Sequence, residues 1–415
     1  MRVHVVDPSA YTPPYDHALC LALAAGGAEV ELYTSRFAYG QVPAPEGYAR
    51  HEFFYRLAHR TAAADAGGHP PSASIPVSPS MRTRANRALK LAEHVPGMLR
   101  YRRAARAADV VHFQWLTVQP LDEHLLPRRR PTAHGTRPKL LLTAHDVLPR
   151  EPRPGQLAAQ RRLYKRFDAV VVHSEHGRER LLALGVGADR VYVIPHGAFT
   201  HLAGPPAALP GAVPSDALAP LHAGPQTAAG AGGVGEPSQA DRPVVLFFGL
   251  LRPYKGLDVL LRAWRGIEDA ELWIVGMPRL DVAALKAAAP PNVRFVPRFV
   301  PDAELPAHFS GADLVVAPYL EADQSGVVAT ALAFGKPLLL SDVGGFPEIA
   351  QTGAARAVPA GDSAALHAAL RELLADPAAL ATMAERARAA AAGAYSWEAV
   401  AARTLELYRS LLAGV

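Results

Sequence analysis

Val244-Val-Leu-Phe-Phe-Gly-Leu-Leu-Arg-Pro-Tyr-Lys-Gly-Leu-Asp-Val-Leu-Leu261 runs from a continuous apolar stretch, through a short polar loop, into a helical pattern. An apolar run of this kind suits a strand buried on both faces of a parallel sheet. The strand ends at Gly249, the loop carries Arg252 and Lys255, and a helix is expected from Gly256. Two cations beside a helix N-terminus favour an anion, with Arg as a planar fork and Lys as a point charge. Two solvated loop cations would fit the same spacing.

The same order of strand, loop and helix recurs in both directions. Val3–Val6, Val30–Tyr33, Val110–Phe113, Leu140–Thr143, Val170–His173 and Val191–Ile194 read as strands before it. Leu272–Val275, Val293–Val296, Leu314–Pro318 and Pro337–Ser341 read as strands after it. Helical patterns lie between them: Asp16–Ala25, Glu175–Leu184 behind a Ser174 N-cap, and stretches starting near Asp281, Asp302 and Gly326. Ser363–Ala375, Pro377–Ala392 and Trp397–Leu412 form a helical tail. This alternation is that of doubly wound α/β domains, in which ligands bind beyond the carboxyl ends of the strands. The 415 residues, 50% hydrophobic, exceed what one core fills, so two Rossmann-like domains are expected with an interdomain cleft. Residues 201–242, mostly Ala, Pro and Gly, read as a linker, and 64–80 as a mobile loop.

Composition excludes several classes. A single cysteine, Cys20, in an apolar stretch rules out a disulfide framework and reads as a small buried hydrophobe. No run is long enough to span a bilayer, and the N-terminus turns polar at Asp7, so a cytoplasmic setting is expected. The histidines and the one cysteine show no zinc spacing, no Asp-x-Asp occurs, and neither a phosphate loop nor a dinucleotide fingerprint is present. The net charge of +5 is small, and the arginine excess reflects base composition. Arg82–Arg106 is nevertheless strongly basic, with Met98, Tyr101 and Ala105 on one helical face. It reads either as a surface helix meeting anionic lipid or as a solvated face; without an aromatic stacking platform, nucleic acid is not expected.

Other loops after strands carry candidates. Ala317–Lys336 includes Glu321, Asp323 and a Gln324-Ser325-Gly326 helix start that offers a cap and bare backbone N–H groups, and an ordinary capped α/β loop would fit it too. Asp342–Glu348 has paired glycines that let a ligand approach the backbone. His145-Asp146 ends a strand, which predicts a histidine facing the cleft rather than the core. His112 reads as a packed histidine and His196 as a structural turn.

Phe248–Gly256, the Ser325-Gly-Val…Phe334-Gly-Lys-Pro337 segment, Asp342–Glu348 and Tyr395-Ser-Trp-Glu398 together resemble the family-4 retaining glycosyltransferases of the GT-B fold. The resemblance implies an acceptor domain over 1–200, a nucleotide-sugar domain over 243–395, and a helix over 396–415 crossing back to the first domain. It implies a nucleotide-sugar co-substrate with no metal and no other cofactor, and a glycan, lipid-linked or small-molecule acceptor. By position, Lys255, with Arg252 and Gly256, would hold the donor diphosphate, and His145 with Asp146 would sit near the transferred sugar. Glu321, Asp323, Gln324, Ser325, Gly326, Val327 and Thr330 would line the sugar and nucleotide. Tyr15, Asp16, His17, Gln114 and Trp115 would stand on the acceptor side. Two departures stand out. Ala322 and Thr330 occupy the places of the family's Glu-x7-Glu pair, and Tyr11-Thr-Pro-Pro-Tyr-Asp-His17 replaces its Gly-Gly turn. A non-catalytic scaffold and a nucleotide-sugar epimerase are the alternatives.

Overall fold

The computed structural model describes residues 1–37, 42–58, 81–127, 138–149, 154–203 and 242–414. The expected loop 64–80 and nearly all of the expected linker lie outside the described residues. The chain divides into two compact units, Met1–Phe199 with Ala392–Val415, and Thr200–Ala391.

In the first unit, β1 (Arg2–Asp7), β2 (Glu29–Ser35), β3 (Ala49–Phe54), β4 (Val110–Phe113), β5 (Lys139–Thr143), β6 (Ala169–Val172) and β7 (Val191–Val193) form one sheet. Its order is β3-β2-β1-β4-β5-β6-β7, and every described pairing in it is parallel. Helices α1 (Pro13–Ala25), α2 (Met81–Ala104), α3 (Gln119–Leu125), α4 (Gln156–Tyr164) and α5 (Glu175–Ala183) join the strands. Ser174 caps α5 as expected, its hydroxyl accepting the Gly177 N–H at 3.1 Å. Strand β3 escaped the sequence reading because it is an edge strand. Its Arg50, His51 and Glu52 interrupt the apolar pattern in the way that protects an open edge.

In the second unit, β8 (Val244–Phe248), β9 (Glu271–Val275), β10 (Val293–Val296), β11 (Leu314–Ala317), β12 (Leu338–Ser341) and β13 (Ala355–Val358) are ordered β10-β9-β8-β11-β12-β13. The helices are α6 (Leu257–Ala263), α7 (Ala283–Ala288), α8 (Leu305–Ser310), α9 (Gly326–Ala333), α10 (Phe346–Ala350), α11 (Ser363–Leu374) and α12 (Pro377–Ala392). Strand β13, again at an edge, is the other one missing from the sequence reading. Val245, Phe247, Leu272, Ile274, Leu314, Val316 and Leu339 pack with Trp264 and Leu370 into the core.

The terminal helix α13 (Trp397–Ala413) packs on α1 within the first unit. The Ser396 hydroxyl caps it by accepting the Ala399 N–H at 3.1 Å. Its Tyr408 hydroxyl lies 2.7 Å from His112 Nδ1, whose Nε2 is 2.8 Å from the Thr143 hydroxyl. Both nitrogens of His112 are therefore satisfied, as a packed histidine requires. Cys20 is fully buried and free.

Candidate functional site

The strand order of each sheet reverses once, between β1 and β4 and between β8 and β11. Such switch points open a crevice at the carboxyl ends of the strands. The candidate residues gather at these two places, and each is described within its own unit.

At the β8/β11 switch point the chain leaves β8 through Gly249 (φ +108°) and makes a 3-10 turn over Pro253–Lys255. Gly256 (φ +68°) then starts α6. A side chain at Gly256 would collide with the Pro318 carbonyl, and the Leu320 N–H donates to the Tyr254 carbonyl at 2.7 Å. The turn is thus clamped to the loop after β11. The Gly345 N–H in turn donates to the Asp323 carbonyl at 3.2 Å, which ties in the loop after β12.

The two predicted cations separate. Arg252 is exposed, whereas Lys255 is only 6% exposed, which overturns the picture of two solvated loop cations. The Lys255 ammonium lies 4.8 Å from the Tyr319 ring centroid and sits against Gly249, where a Cβ would come within 2.7 Å of Nζ. Among the described residues it has no carboxylate or hydrogen-bond partner. An ammonium held in place without a carboxylate beside it is a ready partner for an anion.

The loop after β11 departs from expectation in detail. Ser325 holds the N-cap position of α9 in extended backbone, but its side chain makes no cap hydrogen bond. Its hydroxyl instead lies 3.4 Å from the Tyr319 hydroxyl. Asp323 is buried, Gln324 is half-buried with Oε1 unpartnered, and Glu321 points to solvent. Gly326 and Val327 are half-buried at the helix start. The Thr330 hydroxyl donates back to the Gly326 carbonyl at 2.8 Å, so its proton serves the helix rather than a ligand.

At the β1/β4 switch point, His145 stands just beyond β5 and is 1% exposed, covered by its neighbours. Its Nδ1 lies 3.1 Å from His173 Nε2 and its Nε2 lies 3.3 Å from Gln114 Oε1. Trp115 stacks on it with centroids 4.9 Å apart, and Tyr15 meets it edge-on at 4.7 Å. His173 and His196, 5.2 Å apart, complete a buried histidine cluster with Trp397 close by. Burial, then the neighbouring histidines, hold His145 well below the ordinary histidine range. Burial lowers His173 to about 4 and His196 to about 3. Sequence reasoning assigned His196 to a turn and passed over His173. That the latter also stands immediately after a strand was the available signal. Asp146, beside His145, is half-buried.

The acceptor-side residues Tyr15, Asp16, His17 and Gln114 are all buried, and only Trp115 is partly exposed. Residues missed by the sequence reading explain why. Buried Asp7 accepts the Ser9 N–H at 3.1 Å and the Tyr11 and Thr12 N–H groups at 2.6 and 3.3 Å. It thereby shapes the loop that replaces the Gly-Gly turn. Burial and the Asp7 charge push Asp16 well above the usual carboxylate range, so Asp16 in its acid form donates to Asp7. Tyr11, 59% exposed, rests on Trp115 with centroids 5.2 Å apart. Asp16 also lines a cavity of about 160 Å³ with Ser35, Arg36 and Arg50. Within the basic helix α2, Met98 and Tyr101, which share a face, are buried, and Arg100 donates to the Phe53 carbonyl at 2.5 Å. No cluster of histidine, cysteine or carboxylate side chains suited to a metal ion occurs among the described residues. No helix among them is long and apolar enough to cross a membrane.

Comparison with known proteins agrees with this architecture. Residues 14–197 match the glycosyl transferase 4-like domain, and residues 242–376 match the glycosyl transferases group 1 family. The chain is 36% identical over 180 residues to the phosphatidyl-myo-inositol mannosyltransferase of Mycobacterium leprae, covering 40% of this chain and 46% of that protein. It therefore spans about half the length of that relative. It is 28% identical over 351 residues to the D-inositol 3-phosphate glycosyltransferase of Kineococcus radiotolerans, covering 74% and 73% of the two chains. The Anabaena HepE structure, solved with UDP-glucose, superposes with a TM-score of 0.64 at 19% identity, covering 99% of this chain and all of the other. With one family description matched on each unit and the GT-B fold shared, the chain belongs to the family-4 glycosyltransferases.

Proposed function

We propose that the protein transfers a sugar from a nucleotide-sugar donor to a hydroxyl-bearing acceptor, with retention and without a metal. The observation that carries this reading is Lys255, a buried residue whose ammonium has no carboxylate or hydrogen-bond partner among the described residues at the β8/β11 switch point. A donor diphosphate supplies the missing anion. Arg252 reaches it from solvent as a planar fork, and the N–H groups at Gly326 and Val327, which Ser325 does not cap, add donors. Charges fixed in advance around a leaving diphosphate stabilise the transition state more than the ground state. Retention then proceeds by front-face attack assisted by the leaving phosphate, the route the family resemblance implies. With Thr330 in place of the ribose-gripping glutamate, nucleotide affinity depends the more on the diphosphate contacts.

The acceptor we propose is a phosphate-bearing polyol, in line with the inositol phosphate named for one relative and the phosphatidyl-inositol named for the other. Arg36 and Arg50, against Glu52 on the same lining, support an anionic group at the 160 Å³ cavity. Helix α2 supports peripheral contact with anionic membrane. Leu91 and Leu99 are exposed along it, with Arg103 and the following Arg106 exposed nearby. The test is a turnover assay with UDP- and GDP-sugars, with and without inositol phosphate. Release of nucleoside diphosphate by the wild type and its loss in Lys255→Met support the reading; no release from any donor overturns it.

A further inference from the structure

The histidines at the β1/β4 switch point are joined in an order that fixes where each proton lies. His173 Nδ1 is 2.9 Å from the Ile194 carbonyl, which can only accept, so Nδ1 carries the proton. In neutral His173 the Nε2 atom is then a lone pair, and it lies 3.1 Å from His145 Nδ1. His145 must donate there, which leaves its own Nε2 unprotonated. Both rings are held neutral by burial, as their depressed pKa values require.

The next link is Gln114, whose backbone N–H donates to the Val6 carbonyl at 2.8 Å and so holds it at the crevice between β1 and β4. Its Oε1 lies 3.3 Å from His145 Nε2, while its own Nε2 is buried without a partner. Two lone pairs would face each other in that arrangement. Oxygen and nitrogen of an amide exchange places by a half-turn, and the network decides which orientation holds. Turned over, the amide donates to His145 Nε2, and its oxygen becomes the buried atom without a partner.

We propose that His173 and His145 are positioning residues forming a one-way chain from the Ile194 carbonyl, and that Gln114 Oε1 at its end accepts a hydrogen bond from a sugar hydroxyl. An acceptor here takes a neutral hydroxyl and rejects a phosphate oxygen. This inference rests on the transferase reading for its ligand but not for its proton order.

The experiment is long-range ¹⁵N–¹H NMR of the full chain at pH 7.5, with His173→Leu and His173→Gln alongside. The expected result is a protonated Nδ1 and bare Nε2 on both His145 and His173. A proton on His145 Nε2 in the wild type overturns the chain, whatever the activity. Gln can replace His173 Nε2 with an acceptor and Leu cannot. His173→Gln is expected to preserve the His145 tautomer and donor turnover, and His173→Leu to lose the tautomer preference and lower kcat about tenfold. Equal turnover losses in the two variants would reduce His173 to packing alone. Expected tautomers without turnover of any nucleotide-sugar would leave the proton order standing and remove the transferase reading.

Discussion

Acidification from pH 7.5 to pH 5.0 should weaken the first unit selectively. His112 and His196 are lowered to about 3 and His173 to about 4, chiefly by burial. A histidine whose folded pKa is depressed is neutral in the native state and protonates on unfolding. Its contribution is full above the unfolded value near 6.5 and is lost as pH falls toward the folded value. At pH 5.0 each of the three costs about 2 kcal/mol relative to pH 7.5, or about 6 kcal/mol together. His145, held low in the same way, adds to this. Asp16 works in the opposite direction. Its raised folded pKa contributes stability that grows as pH falls, so it returns part of the loss. A net loss of several kcal/mol is comparable with the whole stability of many domains. The measurement is urea unfolding at the two pH values, read by pulsed hydrogen exchange in peptides from Val110–Val193 and from Val244–Ser341. The first set should unfold at much lower urea at pH 5.0 than at pH 7.5, and the second should move less. His196→Phe keeps a ring against Tyr15 and Trp397 and removes one titrating group. It should reduce the slope of stability with pH by up to about 1.4 kcal/mol per unit. Equal or greater stability of the first unit at pH 5.0 would refute the reasoning.

Three other outcomes follow from the geometry. Lys255→Met removes the cation beside Tyr319 and should abolish the rise in melting temperature that saturating UDP or GDP gives the wild type; an equal rise in the variant would remove Lys255 from the anion site. Gly256→Ala forces a Cβ into the Pro318 carbonyl at positive φ and should cost more than about 1 kcal/mol of stability, checked by urea denaturation; a neutral effect would mean the clamp is loose. Leu91→Asp with Leu99→Asp should release the protein from anionic vesicles in sedimentation and leave its melting temperature within a degree or two. Unchanged pelleting would remove α2 from the membrane contact.

The strands at the middle of each sheet were legible because burial on both faces writes itself as continuous apolar runs, as in Val244–Phe248 and Val110–Phe113. Edge strands β3 and β13 were not, since one open side permits charged residues such as Arg50, Glu52 and Arg356. The polar loop with Lys255 was legible from its place after a strand, but its burial beside Tyr319 depends on contacts 64 residues away in sequence. Asp7 carried no local signal of its role, and His173 only its place just after β6. Their roles arise from what folding brings over them: the turn at Ser9–Thr12 for one, and Ile194 and His145 for the other.

The central claim is that Lys255 waits for a diphosphate. Isothermal titration of UDP and GDP into the wild type and Lys255→Met tests it most directly. A charged hydrogen bond contributes about 1.5–3 kcal/mol, so at least one nucleotide should bind, weakened by roughly 10- to 150-fold in the variant. Equal affinity in the two proteins, or no binding of either nucleotide to the wild type, would contradict it.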